Sequence, residues 1–403
     1  MKFFISCLLC ICSLGAFAQQ RMSSGELSYL YNQEHEFLVR HQIAAKDNQY
    51  KVYFNFMLNN GNVRISDYQL SYDLRSSYID EKSPGSSVRI DTSQVVDVDF
   101  RQYTYELDFE KGENDNLLVI DIYNGVKDEH YYYDIPLVNG ELKPTPFLIF
   151  EKEKNIPFFA KYINRNHPIR LMNPFGDSLN YEITGVENNR AVAFPPFYEN
   201  ETNEPSINPL DTLYGTNECE VFEFYNEGYY TIKASSHPEL HYKILVTDEY
   251  FPYFGDYSAL VQPLIYVSTT DEYKELRRPD DTRKAFEEFV SNTLSSNERV
   301  AKDFVKYYYR RIRKSARLFT EDRAGWKTDR GMVYQIFGNP IQVFRNENTE
   351  LWVFPSEEGG RIRFIFDIIQ EDGITKYKLI RGKRYKETWM YAVSQWRTGR
   401  IIE

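Results

Sequence analysis

Between about residues 51 and 250 apolar side chains alternate with polar ones, and beyond about residue 270 they recur every three or four positions. Lys51-Val52-Tyr53-Phe54-Asn55-Phe56, Val96 to Phe100, Tyr103 to Phe109 and Leu117 to Ile122 have the period of two and the aromatic or β-branched filling of half-buried antiparallel strands. Turn residues separate them at Asn59-Asn60-Gly61, Lys111-Gly112-Glu113-Asn114 and Asn139-Gly140. Short strands at this spacing predict a β-sandwich, closed by the polar run Glu151-Lys152-Glu153-Lys154-Asn155. A second β region follows, with strand-like pieces at Pro168 to Leu171, Tyr181 to Thr184, Ala191 to Phe194, Val221 to Tyr225, Gly228 to Ile232 and Tyr242 to Val246. Its pair of aromatic strands around Gly228 reads as the end of an immunoglobulin-like sandwich. Pro195 to Asn217 reads as a long exposed loop.

The helical period predicts a helix capped by Asp281 with Ala285, Phe286, Phe289 and Val290 on one face. A longer helix follows, opened by the capping-box spacing Ser295 to Glu298 and carrying Val300, Phe304, Tyr308, Ile312, Ala316 and Phe319. Lys306, Arg310, Arg311, Arg313, Lys314 and Arg317 form a basic belt around it. The belt reads either as a solvated face favouring the helix C-terminus or as a docking surface for an acidic partner or lipid head groups. Next, Thr328 is placed to cap a short helix with Asp329 at its positive end, and Gly338-Asn339-Pro340 stops it. Strands at Glu350 to Phe354, Arg361 to Ile368 and Lys376 to Ile380 complete a domain of two or three helices against a small antiparallel sheet. The expected architecture is therefore α+β and multidomain: a leader at 1–18, a β-sandwich at 19–154, a second, immunoglobulin-like sandwich at 155–250 and an α+β domain at 251–403.

The leader is read from Lys2, the apolar run Phe3 to Phe17 and the small-x-small pattern Ala16-Phe17-Ala18, which predict export with cleavage after Ala18. Cys10 and Cys12 follow Leu9 and Ile11, where a lipid-attachment box needs a small residue, and Cys7 follows Ser6 but has too few residues before it for an export core, so lipid attachment is not expected. Only Cys219 remains in the mature chain, flanked by glutamates and without a base or positive charge to activate it. A single thiol forms no internal disulfide, so large cores must hold the fold. His237 and His241 have the spacing of a zinc helix, but Pro238 stands where that motif has its glutamate, and no metal is expected.

Composition adds 65 aromatic residues and a formal charge of -11, which exclude a disordered chain and a nucleic-acid binder. The charge is uneven: residues 271–403 carry 27 Lys or Arg against 21 Asp or Glu, whereas residues 19–270 carry 20 against 38. All four Trp, at 326, 352, 389 and 396, lie in the basic part.

The string Gly325-Trp326-Lys327-Thr328-Asp329-Arg330-Gly331, with Tyr334, Gly338 and Pro340 after it and Trp352 on the following strand, resembles the signature of the GWxTD-domain family. The upstream helix from Asn297-Glu298 to Phe319 is similar as well, so the resemblance spans about residues 255 to 390. It implies an exported protein of diderm bacteria with β-sandwich domains ahead of the signature domain, and it implies no reaction. Family members commonly carry an acid soon after the Gly-x-Pro turn, where this chain has Ile341-Gln342. At the level of fold alone, a helix ending in Gly-x-Pro before an aromatic strand is similar to small outer-membrane assembly lipoproteins.

Thr328, Asp329 and Arg330 bring a hydroxyl, an acid and a cation together, but the chain has no nucleophile elbow, phosphate loop, dinucleotide fingerprint or cofactor motif, and none of its six histidines lies in the last third. The leading expectation is a non-enzymatic exported scaffold or interaction protein of the periplasm or outer membrane, docking an envelope protein through its basic, Trp-rich end. The alternatives are a glycan-binding module using Tyr131-Tyr132-Tyr133 and a hydrolase assembled from distant residues. Asp177-Ser178-Leu179 and Asp211-Thr212-Leu213 match a short O-glycosylation pattern of exported proteins.

Overall fold

A computed structural model of the chain describes residues 25–80, 87–138, 143–176, 178–199, 208–217, 219–278, 281–294, 297–356, 359–371 and 373–400. The expected leader, the Asn139-Gly140 turn, Asp177 and Ser295 lie outside the described residues. The chain is α+β, with mostly antiparallel sheets followed by a helix-rich C-terminal part.

The first eight strands are β1 (Phe37–Lys46), β2 (Gln49–Leu58), β3 (Tyr68–Arg75), β4 (Val88–Ile90), β5 (Val95–Asp99), β6 (Gln102–Glu110), β7 (Leu117–Asn124) and β8 (Glu129–Pro136). They form two antiparallel sheets, ordered β1-β2-β6-β5 and β4-β3-β7-β8. The period-two residues Val52, Phe54, Phe56 and Leu107 of one sheet share a core with Leu70, Ile120, Ile122 and Ile135 of the other. β2 is buried on its opposite face too, because Tyr53 joins Ala44, Leu148 and Phe150 in a second cluster that ties this module to the next.

The second module contains β9 (Leu148–Glu151), β10 (Tyr162–Asn164), β11 (Ile169–Met172), β12 (Asn180–Val186), β13 (Pro209–Asn217), β14 (Val221–Phe222), β15 (Gly228–Ala234) and β16 (His237–Thr247). Five strands order as β10-β16-β15-β12-β13 and three as β14-β11-β9, around a core of Phe147, Ile169, Leu171, Ile183, Tyr230 and Ile244. Two expectations change here. The module starts before the polar run at 151–155, since β9 pairs with β11 from Leu148↔Met172 to Glu151↔Ile169; the charges mark a turn inside the module. The C-terminal 9 residues of the predicted exposed loop are strand β13, paired with β12 from Asn180↔Asn217 onward. Its Pro and Asn content hid a pairing that only the partner strand supplies.

The C-terminal part contains α1 (Tyr257–Val261), α2 (Thr270–Leu276), α3 (Thr282–Glu288), α4 (Glu298–Leu318), α5 (Asp329–Phe337), β17 (Gln342–Arg345), β18 (Thr349–Pro355), β19 (Arg361–Glu371), β20 (Ile374–Leu379) and α6 (Lys386–Arg397). The two or three expected helices are thus six among the described residues, facing one antiparallel sheet in sequence order. Asp281 caps α3 by accepting from the Lys284 amide at 2.9 Å, as its position predicts. α4 starts later than the capping-box spacing suggests, because Asn297 is its cap and accepts from Arg299 N at 3.0 Å. One stripe of α4, including Phe304, Tyr308, Ile312 and Ala316, enters a core that also buries all four Trp.

Two segments from far upstream complete that core. Leu27 and Tyr31 are buried in it, with Leu27 N donating to Val343 O at 2.9 Å and Glu26 Oε1 accepting from Val343 N at 2.7 Å. Ala193 is also buried there, and its backbone donates to Lys327 O at 2.8 Å and accepts from the Tyr266 hydroxyl at 2.9 Å. The strand expected at Ala191 to Phe194 is therefore an irregular brace. A fragment starting at residue 250 lacks these braces and is expected to lose about 3 to 6 kcal/mol from Leu27 and Tyr31 burial alone. Circular-dichroism melts of fragment and whole chain check this, and equal transition temperatures would refute the bracing role.

Candidate functional site

The signature residues are built into the joint between α4, α5 and the sheet. Thr328 caps α5, its Oγ1 accepting from Gly331 N at 3.1 Å and donating to Gly325 O at 2.8 Å. Gly331 lies so close to the Gly325 carbonyl that a Cβ would collide with it. Trp326 is buried beside the helix start, with Gln335 Nε2 donating to its carbonyl at 2.6 Å. Tyr334 donates to Asn339 Oδ1 at 2.6 Å and to Tyr31 O at 3.2 Å. Gly338 ends α5 with a φ of 82°, a conformation that suits glycine, and buried Pro340 leads into β17.

Asp329 does more than favour the helix dipole. Its carboxylate accepts from Leu379 N at 2.7 Å and from Arg381 Nη1 at 3.0 Å, locking α5 to the end of β20. Arg330 points the other way, into a buried charged core. Its guanidinium lies 3.3 Å from the Tyr377 ring centroid and reaches Glu321 at 3.2 Å and Glu350 at 3.5 Å. Glu350, fully buried, also accepts from Arg345 Nε at 2.7 Å, the Tyr31 hydroxyl at 2.8 Å and Trp352 Nε1 at 2.8 Å. These donors fill the acceptor positions of one carboxylate. A neighbouring carboxylate, Asp322, is held by Arg190 at 2.8 Å, Arg323 at 3.0 Å and Lys376 at 3.0 Å.

Burial pushes the Glu350 pKa up, but Arg345 and Arg330 outweigh it and hold the carboxyl below its ordinary value. Burial likewise opposes the Arg330 charge, and Tyr377, Tyr31, Glu350 and Glu321 overcome it. At Glu321 burial wins over Arg330 and Lys161, so its carboxyl titrates well above the usual carboxylate range.

The basic belt divides. Arg311 is not on the solvent face: it is buried, donates to Ile336 O at 3.1 Å and lies 4.9 Å from the Trp396 ring centroid, capping the negative end of α5. Lys314 is mostly covered and pairs with Glu34 at 2.7 Å. Lys306 and Arg317 are exposed and Arg310 and Arg313 half-buried. Lys306 and Arg310 flank Tyr307 at 5.2 and 4.8 Å, and Arg313 lies 5.3 Å from the Tyr253 ring centroid. Beside them an open hollow is lined by Val290, Ala301 and Val305 and edged by Ser291, Lys306 and the Lys302–Glu298 pair.

Sequence reasoning found the motif but missed Tyr31, Glu321, Asp322, Arg345, Glu350, Lys376 and Arg381. The available signal was the polar residue inside an apolar strand, Glu350 before Leu351-Trp352. The short motif sets Asp329 and Arg330 side by side without showing what each meets. Cys219 is exposed, His237 and His241 lie on strand β16, and among the described residues no group of three or more His, Cys, Asp or Glu is placed to hold a metal.

Two outcomes follow from the charged joint. Asp329→Asn leaves the largely covered Arg381 guanidinium without its anionic partner and should cost about 3 kcal/mol, read by denaturant unfolding. Glu321 is protonated in the folded protein at pH values where the unfolded chain has released the proton, because its folded pKa lies above the ordinary 4.5. Its contribution is complete below that value and is lost as pH rises through the folded pKa. Glu321→Gln should therefore flatten the fall in melting temperature between about pH 5 and pH 8; an unchanged slope excludes Glu321 as the source.

No curated protein matches the chain. Residues 228–398 match the family model of the GWxTD domain, a span that takes in β15 and β16 of the second module and the charged joint apart from Tyr31 and Arg190. With the motif at Gly325 to Gly331 holding that joint together, residues 228–398 of the chain are a GWxTD domain.

Proposed function

We propose that this chain is a non-enzymatic exported interaction or scaffold protein of the periplasm or outer membrane, in which the two β modules are immunoglobulin-like spacers and the GWxTD domain docks an acidic envelope protein. The observation that carries the reading is the division of roles in that domain. Thr328, Asp329 and Arg330 are buried and occupied within the core, while Lys306, Arg310, Arg313 and Arg317 turn outward with Tyr307 and Tyr253 among them. Arginine and tyrosine are the residues that anchor interfaces. The adjoining hollow of Val290, Ala301 and Val305 offers apolar area beside the charge. A partner segment with acidic and aliphatic side chains fits both. The tryptophans take no part, since all four are buried. Tyr131 and Tyr133 pack against the first core, so they present no open platform for a glycan. No helix among the described residues is long and apolar enough to cross a membrane, and the partner is the proposed link to the envelope.

The test is in-cell crosslinking of the wild-type chain and of a variant carrying Lys306→Glu, Arg310→Glu, Arg313→Glu and Arg317→Glu, followed by mass spectrometry. The wild type should capture an envelope protein that the variant loses, with little change in melting temperature because these side chains face solvent. Equal capture by both chains, or capture of no envelope protein, defeats the reading. Loss of vesicle binding in place of protein capture would assign the belt to lipid head groups.

A further inference from the structure

The hairpin joining β5 to β6 carries the most exposed large apolar side chain among the described residues. Phe100, at its tip, is 90% exposed, and Val98 before it is 56% exposed. The backbone there is strained as well: Phe100 has a φ of 54°, in the left-handed region that bulky residues avoid. Asp47, in the turn between β1 and β2 of the same sheet, has the same φ and is a residue that tolerates it. The Phe100 turn is fixed from behind, with Leu58 N donating to Arg101 O at 3.0 Å and Arg101 Nη2 to Val63 O at 3.3 Å. Glycine would suit this position better on both counts, yet the chain holds an aromatic ring out into water on a rigid turn. Strain kept at such a place points to a contact outside the chain.

The hollow on α4 has the opposite form. It is open, encloses about 470 Å³ and has an apolar floor of Val290, Ala301 and Val305. On its edge Lys302 is paired with Glu298 at 2.6 Å, whereas Lys306 is exposed and lies over the Tyr307 ring. The β5 tip supplies the matching charge, since Asp97 and Asp99 flank Val98. Asp99 is paired with Lys154 at 2.6 Å, but both side chains are largely exposed, and such a pair exchanges partners at little cost. The same complementarity holds for whole parts of the chain: residues 19–270 carry 38 acidic against 20 basic side chains, and residues 271–403 carry 27 basic against 21 acidic. Because Phe100 is bare, the hollow of its own chain does not receive it.

We propose that the β5 tip of one copy inserts Phe100 into the α4 hollow of a second copy, with Asp99 turned to Lys306, so that the chain associates head to tail. The proposal rests on the reading of the α4 face as a docking surface and names the chain itself as an acidic occupant of that face. Tip and hollow are unlike surfaces, so each added copy leaves one of each free until the ends meet in a ring or the run stays open. A hairpin tip in a hollow buries less than a standard interface, and the association is therefore weak and follows concentration.

Sedimentation velocity of the purified chain over a range of concentrations tests it. The wild-type sedimentation coefficient should rise with concentration, and the rise should shrink as salt is added. Phe100→Gly should weaken association about tenfold with a melting temperature no lower than wild type, because glycine accepts the left-handed backbone. The double variant Val305→Ser with Lys306→Glu should weaken it from the other side. An equal mixture of the two variants keeps one intact tip and one intact hollow, and should give a two-copy species and nothing larger. Should the double variant fail to fold, Phe100→Gly carries the test. A wild type that is monomeric at every concentration, a Phe100→Gly chain that associates like wild type, or a folded mixture without the two-copy species overturns the proposal. Crosslinking in cells keeps the two readings apart: envelope-protein capture by a chain that sediments as a monomer overturns self-association alone, and self-association without capture overturns the envelope partner alone.

Discussion

A carboxylate with no access to water must find all its partners inside the protein, and Glu350 sets that condition for this fold. Its donors come from places far apart in the chain: Tyr31 from the N-terminal segment, Arg330 from α5, Arg345 from β17 and Trp352 from its own strand. Removing any one donor leaves a buried charge short of a partner, which costs far more than the pair gains over an apolar replacement. The arrangement therefore contributes less to raw stability than to register, since only one placement of the N-terminal segment against β17 and α5 satisfies every group. Asp322 repeats the logic with Arg190, Arg323 and Lys376, and Arg190 belongs to the brace that rises from the second module.

This requirement explains why a conspicuous motif is nowhere near the surface. Gly325 and Gly331 let α5 touch the turn before it, Thr328 caps it, Asp329 ties it to β20 and Arg330 reaches the Glu350 cluster. Each residue type follows from a local demand: no side chain, a short hydroxyl, a short acid, a long planar cation. The proposed docking surface lies on what the joint leaves outside, the outer face of α4. The helix is amphipathic in two senses, with Phe304, Tyr308 and Ile312 turned to the core and cations turned away, and Arg311 shows how one step around the helix changes a surface charge into a core cap.

Much of the secondary structure was legible because periodicity is a local property. The strands at 51–56, 103–109 and 361–368 and the helix after Asp281 lie where alternation and its cap place them, whereas α4 is capped by Asn297, later than the capping-box spacing gives. The misread strands all concern long-range pairing. β13 is rich in residues that avoid strands and is a strand because β12 pairs with it; Glu151 to Asn155 is charged but lies between β9 and β10 of one module. Ala191 to Phe194 has a strand's composition and no strand to join, so it braces the GWxTD domain instead.

By itself the sequence determined the fold class, the alternation that fills the β cores, the capped and amphipathic helices and the identity of the motif, since each depends on residues within a turn or two of one another. Only the tertiary structure decided that Leu27 and Tyr31 belong to the C-terminal core and that Arg311 is buried while Arg317 is not. The first depends on contacts as distant as 319 residues along the chain, between Tyr31 and Glu350, and the second on the Ile336 carbonyl and the Trp396 ring closing over Arg311. A side chain's charge is written in its letter, but its solvent, its partners and so its work are set by which distant surfaces close over it.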